Sequence, residues 1–104
     1  MKKINLFEFK KLCENINPTS FIFMSGTLKE FSVEKPLARL RTKSVYDKIH
    51  ISFPDTISFI NGENYMELSG VKSINVDDNS KFIDIICGDV SNSLRDIVVP
   101  IMIN

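Results

Sequence analysis

Lys35, Arg39, Arg41, Lys43 and Lys48 crowd one short segment that holds Tyr46 and a single acid, Asp47. Closely spaced cations beside an aromatic ring suit a groove for nucleic-acid phosphates, because each cation neutralises one phosphate and releases counterions. The composition also fits an ordinary solvated strand and loop. Neither an RNA-binding aromatic signature nor a helix-turn-helix pattern accompanies it, so both readings stay open. His50 alternates with Lys48 on the polar side of the next segment, where a lone histidine is most often just solvated.

Asp77, Asp78 and Asp84 are oxygen donors suited to a hard cation, but the EF-hand spacing with its terminal Glu is absent. Turn chemistry explains the first two, since Asp77-Asp78-Asn79-Ser80 is a run of residues whose side chains bond their own backbone. Nucleophilic catalysis lacks its parts. Cys13 falls on the apolar side of a helix, His50 is on a distant strand, and there is no Gly-x-Ser-x-Gly or glycine-rich phosphate loop. Cys13 and Cys87 show no CxxC spacing and read as two free, buried thiols. The expectation is a protein that is not an enzyme, with no metal and no cofactor.

Charge is divided along the chain. Through Lys48 there are ten Lys or Arg against five acids, and beyond it three against eight, so the zero total hides a dipolar sequence. In a compact domain the halves either interleave and cancel or segregate and steer charged partners. The C-terminus supplies a second candidate surface. Ile97 to Ile103 is an unbroken apolar run, which is costly to leave in water at about 25 cal/mol per Å². Either it closes the domain's own sheet or it forms an edge that recruits a second copy or another protein through Ile97, Val99, Ile101 and Ile103. Pro100 lacks an N–H and argues for an edge or a bulge.

The elements that position these residues follow from periodicity. Asn5 with Glu8 three residues on is the capping-box arrangement, and Leu6, Phe9, Leu12, Cys13 and Ile16 recur at helical spacing, which predicts one amphipathic helix over 6–16. Asn17-Pro18 ends it. Phe21 to Met24 reads as a strand covered on both sides, and Glu30 to Glu34 as one with a wet face. Leu37 to Tyr46 fits an exposed strand or a loop about equally. From Lys48 onward Ile49, Ile51 and Phe53 alternate with polar residues, and Pro54-Asp55 turns the chain. Asn61-Gly62 between two apolar runs predicts a type I′ hairpin joining Thr56–Ile60 to Asn64–Leu68. Strands over Val71 to Val76 and Lys81 to Cys87, the latter facing inward through Ile83, Ile85 and Cys87, extend the pattern into a meander. A polar connector over 91–96 precedes the terminal strand.

At 104 residues, 43% hydrophobic and 25% charged, the chain suffices for a single domain over 1–104. Ile is the commonest residue and Ala38 the lone alanine, a bias toward strands. The first residues begin like a signal peptide, but Glu8, Lys10 and Lys11 break the apolar run, and no segment approaches a membrane span, so a cytoplasmic location is expected.

The stretch from Ile57 to Ile74, followed by Ile83 to Asp89, resembles a pattern in small uncharacterised proteins of phages and mobile elements from low-GC Gram-positive bacteria. The resemblance implies a compact accessory protein acting by binding in the host cytoplasm, as inhibitors of host defence such as anti-CRISPR proteins do. The expected fold is α+β, one N-terminal helix packed on a twisted antiparallel sheet or partly open barrel of five to seven strands. The expected function is non-enzymatic binding that inhibits or modulates a host protein. The alternatives are a nucleic-acid-binding module using the basic segment 35–48, and a structural protein self-assembling through its C-terminal edge as a homodimer.

Overall fold

The computed structural model describes residues 2–23, 45–88 and 96–104. Among the described residues the expected α+β architecture is present, as one helix and two antiparallel sheets that do not close into a barrel. Strand β1 (Lys2–Ile4) leads into α1 (Leu6–Ile16). The helix starts where the sequence predicts because Asn5 Oδ1 accepts the Glu8 N–H at 2.8 Å while Glu8 Oε1 accepts the Asn5 N–H at 3.1 Å. It stops at Asn17, which adopts the left-handed region (φ 49°) and donates its N–H to the Cys13 carbonyl.

β2 (Phe21–Phe23) and β3 (Val45–Tyr46) follow among the described residues, then β4 (Lys48–Ser52), β5 (Thr56–Asn61) and β6 (Asn64–Leu68). β7 (Val71–Val76), β8 (Phe82–Gly88) and β9 (Asp96–Ile103) complete the set. The large sheet runs β1-β7-β8-β9-β2-β3 and the small one β4-β5-β6. The expected continuous meander is therefore two separate ones, divided at Ser69-Gly70. Only Asp47 separates β3 from β4, so the chain turns a corner there from one sheet into the other. Asp47 N–H donating to Ile60 O at 3.2 Å and Asn61 Nδ2 donating to Val45 O at 3.0 Å hold that corner.

The sheets bury their inner faces against one another. Phe59 on β5 is fully buried and meets Phe21, Phe23 and Tyr46 of the large sheet at ring-centroid distances of 5.5, 5.1 and 6.3 Å. The first two contacts are edge-to-face, the arrangement the ring quadrupole favours. Ile83, Ile85 and Cys87 of β8 point inward together, as their alternation predicts, and Leu6 and Phe9 bring α1 onto the same core.

Three expectations need correction. β9 is not an edge, because it lies between β8 and β2, with Ile101, Met102 and Ile103 paired to Phe23, Ile22 and Phe21. The 61–64 hairpin is displaced by one residue from the expected register. Asn61 pairs with Asn64, Gly62 alone in the turn has positive φ (60°), and that pattern belongs to a type II′ turn. Phe53 does not share the inner face of Ile49 and Ile51, since β4 ends at Ser52 and the ring sits exposed on the following turn. The expected strand over 30–34, residues 37–44 of the segment over 37–46 and residues 91–95 of the connector over 91–96 lie outside the described residues.

Candidate functional site

Of the basic cluster, Lys35, Arg39, Arg41 and Lys43 lie outside the described residues. Lys48 is exposed on β4, where it borders a groove of about 350 Å³ between that strand and α1. Ile97, Val99, Ile101 and Ile103, the expected partner contacts of the C-terminal run, all point into the core and are at most 7% exposed. They hold the domain's own sheet.

Cys13 and His50 are far apart in sequence, yet both line the groove that Lys48 borders. Their shared location corrects the expectation that the fold keeps them apart. It does not produce an activated nucleophile. Burial pushes the Cys13 thiol up to about 12, away from the lowered values that generate a reactive thiolate. Cys87 is also free and is pushed up to about 11 by burial, with the Asp55 charge adding to the effect. Asp77 does what the turn reading expects. Its Oδ1 accepts the Lys81 N–H at 2.7 Å and the Phe82 N–H at 2.9 Å, and the Phe82 bond is the main reason its carboxyl is held below the ordinary value. Among the described residues no group of three or more His, Cys, Asp or Glu side chains is arranged to hold a metal ion. No helix among them is long and apolar enough to cross a membrane.

A different cluster stands out. With Leu6 and Phe9 committed to the core, helical geometry places Phe7, Lys10, Lys11 and Glu14 on the outward side of α1, at relative positions i, i+3, i+4 and i+7. The turn after β4 brings Phe53 against Phe7, with ring centroids 6.4 Å apart and planes inclined at 43°. Both rings are open to solvent, 58% exposed for Phe7 and 51% for Phe53. Lys11 Nζ lies 5.5 Å from the centre of the Phe7 ring and Lys10 Nζ 5.8 Å from that of Phe53, within reach of the ring quadrupole.

The cluster forms a ridge with a groove on either side. Lys10 borders the groove shared with β4. Phe7 and Lys11 border a second groove of about 510 Å³, whose other walls come from Lys2 on β1 and from Asp77, Asp78 and Ser80 in the turn between β7 and β8. Two large apolar rings in contact, exposed, ringed by polar groups and flanked by concave surface have the anatomy of a protein contact centre. Sequence periodicity carried half of this signal, an aromatic residue at a helix position that faces water. The other half needed the tertiary contact. Compared with known protein families, characterised proteins and solved structures, the chain matches none.

Proposed function

We propose that this chain is a non-enzymatic protein-binding domain, an accessory protein of phage or mobile-element kind that modulates a host protein in the cytoplasm by occupying its surface. The contact face is the outward side of α1, and the observation that carries the reading is the exposed Phe7–Phe53 pair. A fold that buries Phe9, Phe21, Phe23 and Phe59 nearly completely leaves these two rings in water, where covering them gains about 25 cal/mol per Å². The protonated Cys13 thiol, in the groove that His50 also lines, supports binding over catalysis. A chain of zero net charge with Glu8 and Glu14 on the same helix as the two lysines supports a protein partner over a polyanion.

The test uses the Phe7→Ser/Phe53→Ser double variant and, as a control, Tyr65→Ser, which alters an exposed aromatic ring on the small sheet. The parent and both variants are presented to an extract of cells that carry the gene, and the affinity of any captured protein is then measured with purified components. Loss of two aromatic anchors, each worth about 2 kcal/mol or more, weakens that complex on the order of a thousandfold in the double variant and leaves the control unchanged. Equal binding by the double variant, or capture of nucleic acid in place of protein, overturns the proposal.

A further inference from the structure

Resting on the reading of this face as a contact surface, we infer that it takes a short acidic segment of a partner protein, in which a large apolar side chain seats on the Phe7–Phe53 pair between carboxylates that meet Lys10 and Lys11. The rings locate the two ammonium groups without neutralising them, because a quadrupole attracts a cation but carries no net charge. Lys72–Asp96 is the ion pair found among the described residues, so within that set neither Lys10 nor Lys11 has a carboxylate at salt-bridge distance. Adjacent positions on a helix point about 100° apart. The two cations therefore diverge, one toward each ring and one toward each groove, and leave the apolar contact between them. An apolar anchor with an acid on either side matches that order of groups, and hydrogen bonds from an ammonium to a carboxylate are roughly twice as strong as neutral ones.

The same map limits the length of the segment. Glu8 is engaged in the helix cap and Asp77 in its own turn, but Glu14 and Asp47 in one groove and Asp78 in the other present further negative charge. An anion tracking far along either groove meets repulsion. A short acidic peptide therefore fits, whereas a nucleic-acid strand, which needs cations along its whole track, does not.

Fluorescence anisotropy with short labelled synthetic peptides tests this. One peptide places Phe or Leu between Asp and Glu, a second replaces the acids by Asn and Gln, a third replaces the apolar residue by Ala, and oligothymidylate is the polyanion control. The expected result is binding of the first peptide, weakened about tenfold or more by each peptide change and by Lys10→Ala/Lys11→Ala, a decade corresponding to about 1.4 kcal/mol. Alanine at two exposed helical positions favours the helix, and an amide NMR spectrum like the parent's verifies the fold. Equal binding of the neutral peptide, an unchanged affinity in the lysine variant, or tighter binding of oligothymidylate overturns the inference. If the natural partner's complex is weakened by Phe7→Ser/Phe53→Ser but not by Lys10→Ala/Lys11→Ala, the contact-surface reading stands and the acidic-segment inference falls. If neither variant weakens it, both fall.

Discussion

Deleting Ile101 to Asn104 distinguishes an interaction edge from a core strand, and the structure gives the size of the effect. Ile101 and Ile103 are 1% and 5% exposed, and burying such side chains contributes about 1.5–3 kcal/mol each. The deletion also strips pairing from both sides of β9. Phe21, Ile22 and Phe23 of β2 lose their partners, as do Phe82 and Ile83 of β8. The terminus is tied further by Asn104 N–H donating to Ser20 O at 2.9 Å and Thr19 N–H donating to Asn104 O at 2.8 Å. The two side chains account for roughly 3–6 kcal/mol, and each lost hydrogen bond adds about 1 kcal/mol net, with newly orphaned groups costing more. A domain of this size has about 5–15 kcal/mol in total. The truncated chain is therefore expected to be largely unfolded, with collapsed amide NMR dispersion and no cooperative urea transition. The single variant Ile101→Ala is expected to keep the fold and lose about 2–5 kcal/mol. A truncated protein that melts cooperatively close to the parent, and loses only self-association, refutes the interior placement of β9.

Gly62→Val is expected to cost about 1–2 kcal/mol in urea denaturation, entirely through the backbone, since a Cβ at Gly62 meets no atom within 4 Å but a β-branched residue resists φ +60°; parent-like stability excludes the turn. Cys13 and Cys87 are expected to resist iodoacetamide at pH 8 in the native protein and to react fully in urea, and native alkylation of Cys13 at the rate of a free thiol contradicts its protonated, half-buried state. Because folding raises both thiols above their ordinary 9.0, the unfolded chain ionises first, so stability is retained below about pH 9 and falls between there and about pH 11 to 12; a urea midpoint that stays flat across that window counts against it.

What sequence reading recovered was local. Asn5 and Glu8 satisfy each other within one helical turn, so α1 was legible to the residue. The β5–β6 hairpin was legible as a hairpin and misplaced by one residue for a non-local reason. Asn61 Nδ2 bonds the Val45 carbonyl across the corner between the sheets, which accompanies Asn61 remaining in the ladder and gives the turn to Gly62-Glu63. The division of the meander at Ser69-Gly70 was not legible, because alternation tells which residues face inward and says nothing about which sheet they join. Where the chain divides, Val71 N–H donates to Asp55 O at 2.9 Å, tying the start of β7 to the turn at the foot of the small sheet. Pro100 misled in an instructive way. Pro100 pairs with Asp84 of β8, and among the described residues β9 is flanked on both sides at Ile101 to Ile103, so the missing N–H of one proline does not keep the strand at an edge.

The candidate site was hidden by the very regularity that revealed the fold. Period two groups Phe53 with Ile49 and Ile51, and the helical spacing of Leu6, Phe9, Leu12, Cys13 and Ile16 leaves Phe7 out of the apolar stripe, so nothing in either pattern joins the two rings. The strand ends one residue earlier than the alternation does. The turn over 53–55 carries Phe53 out to the helix, where it meets Phe7 across 46 positions of sequence. Neither ring is needed to fill the interior, since Phe9, Phe21, Phe23, Tyr46 and Phe59 are all buried without them. An aromatic pair that packs against itself, lies outside the core and is bracketed by two ring-held cations costs solvation in the free protein. That cost is recovered when another surface covers the rings, which is the physical reason for proposing the outward side of α1 as the contact face.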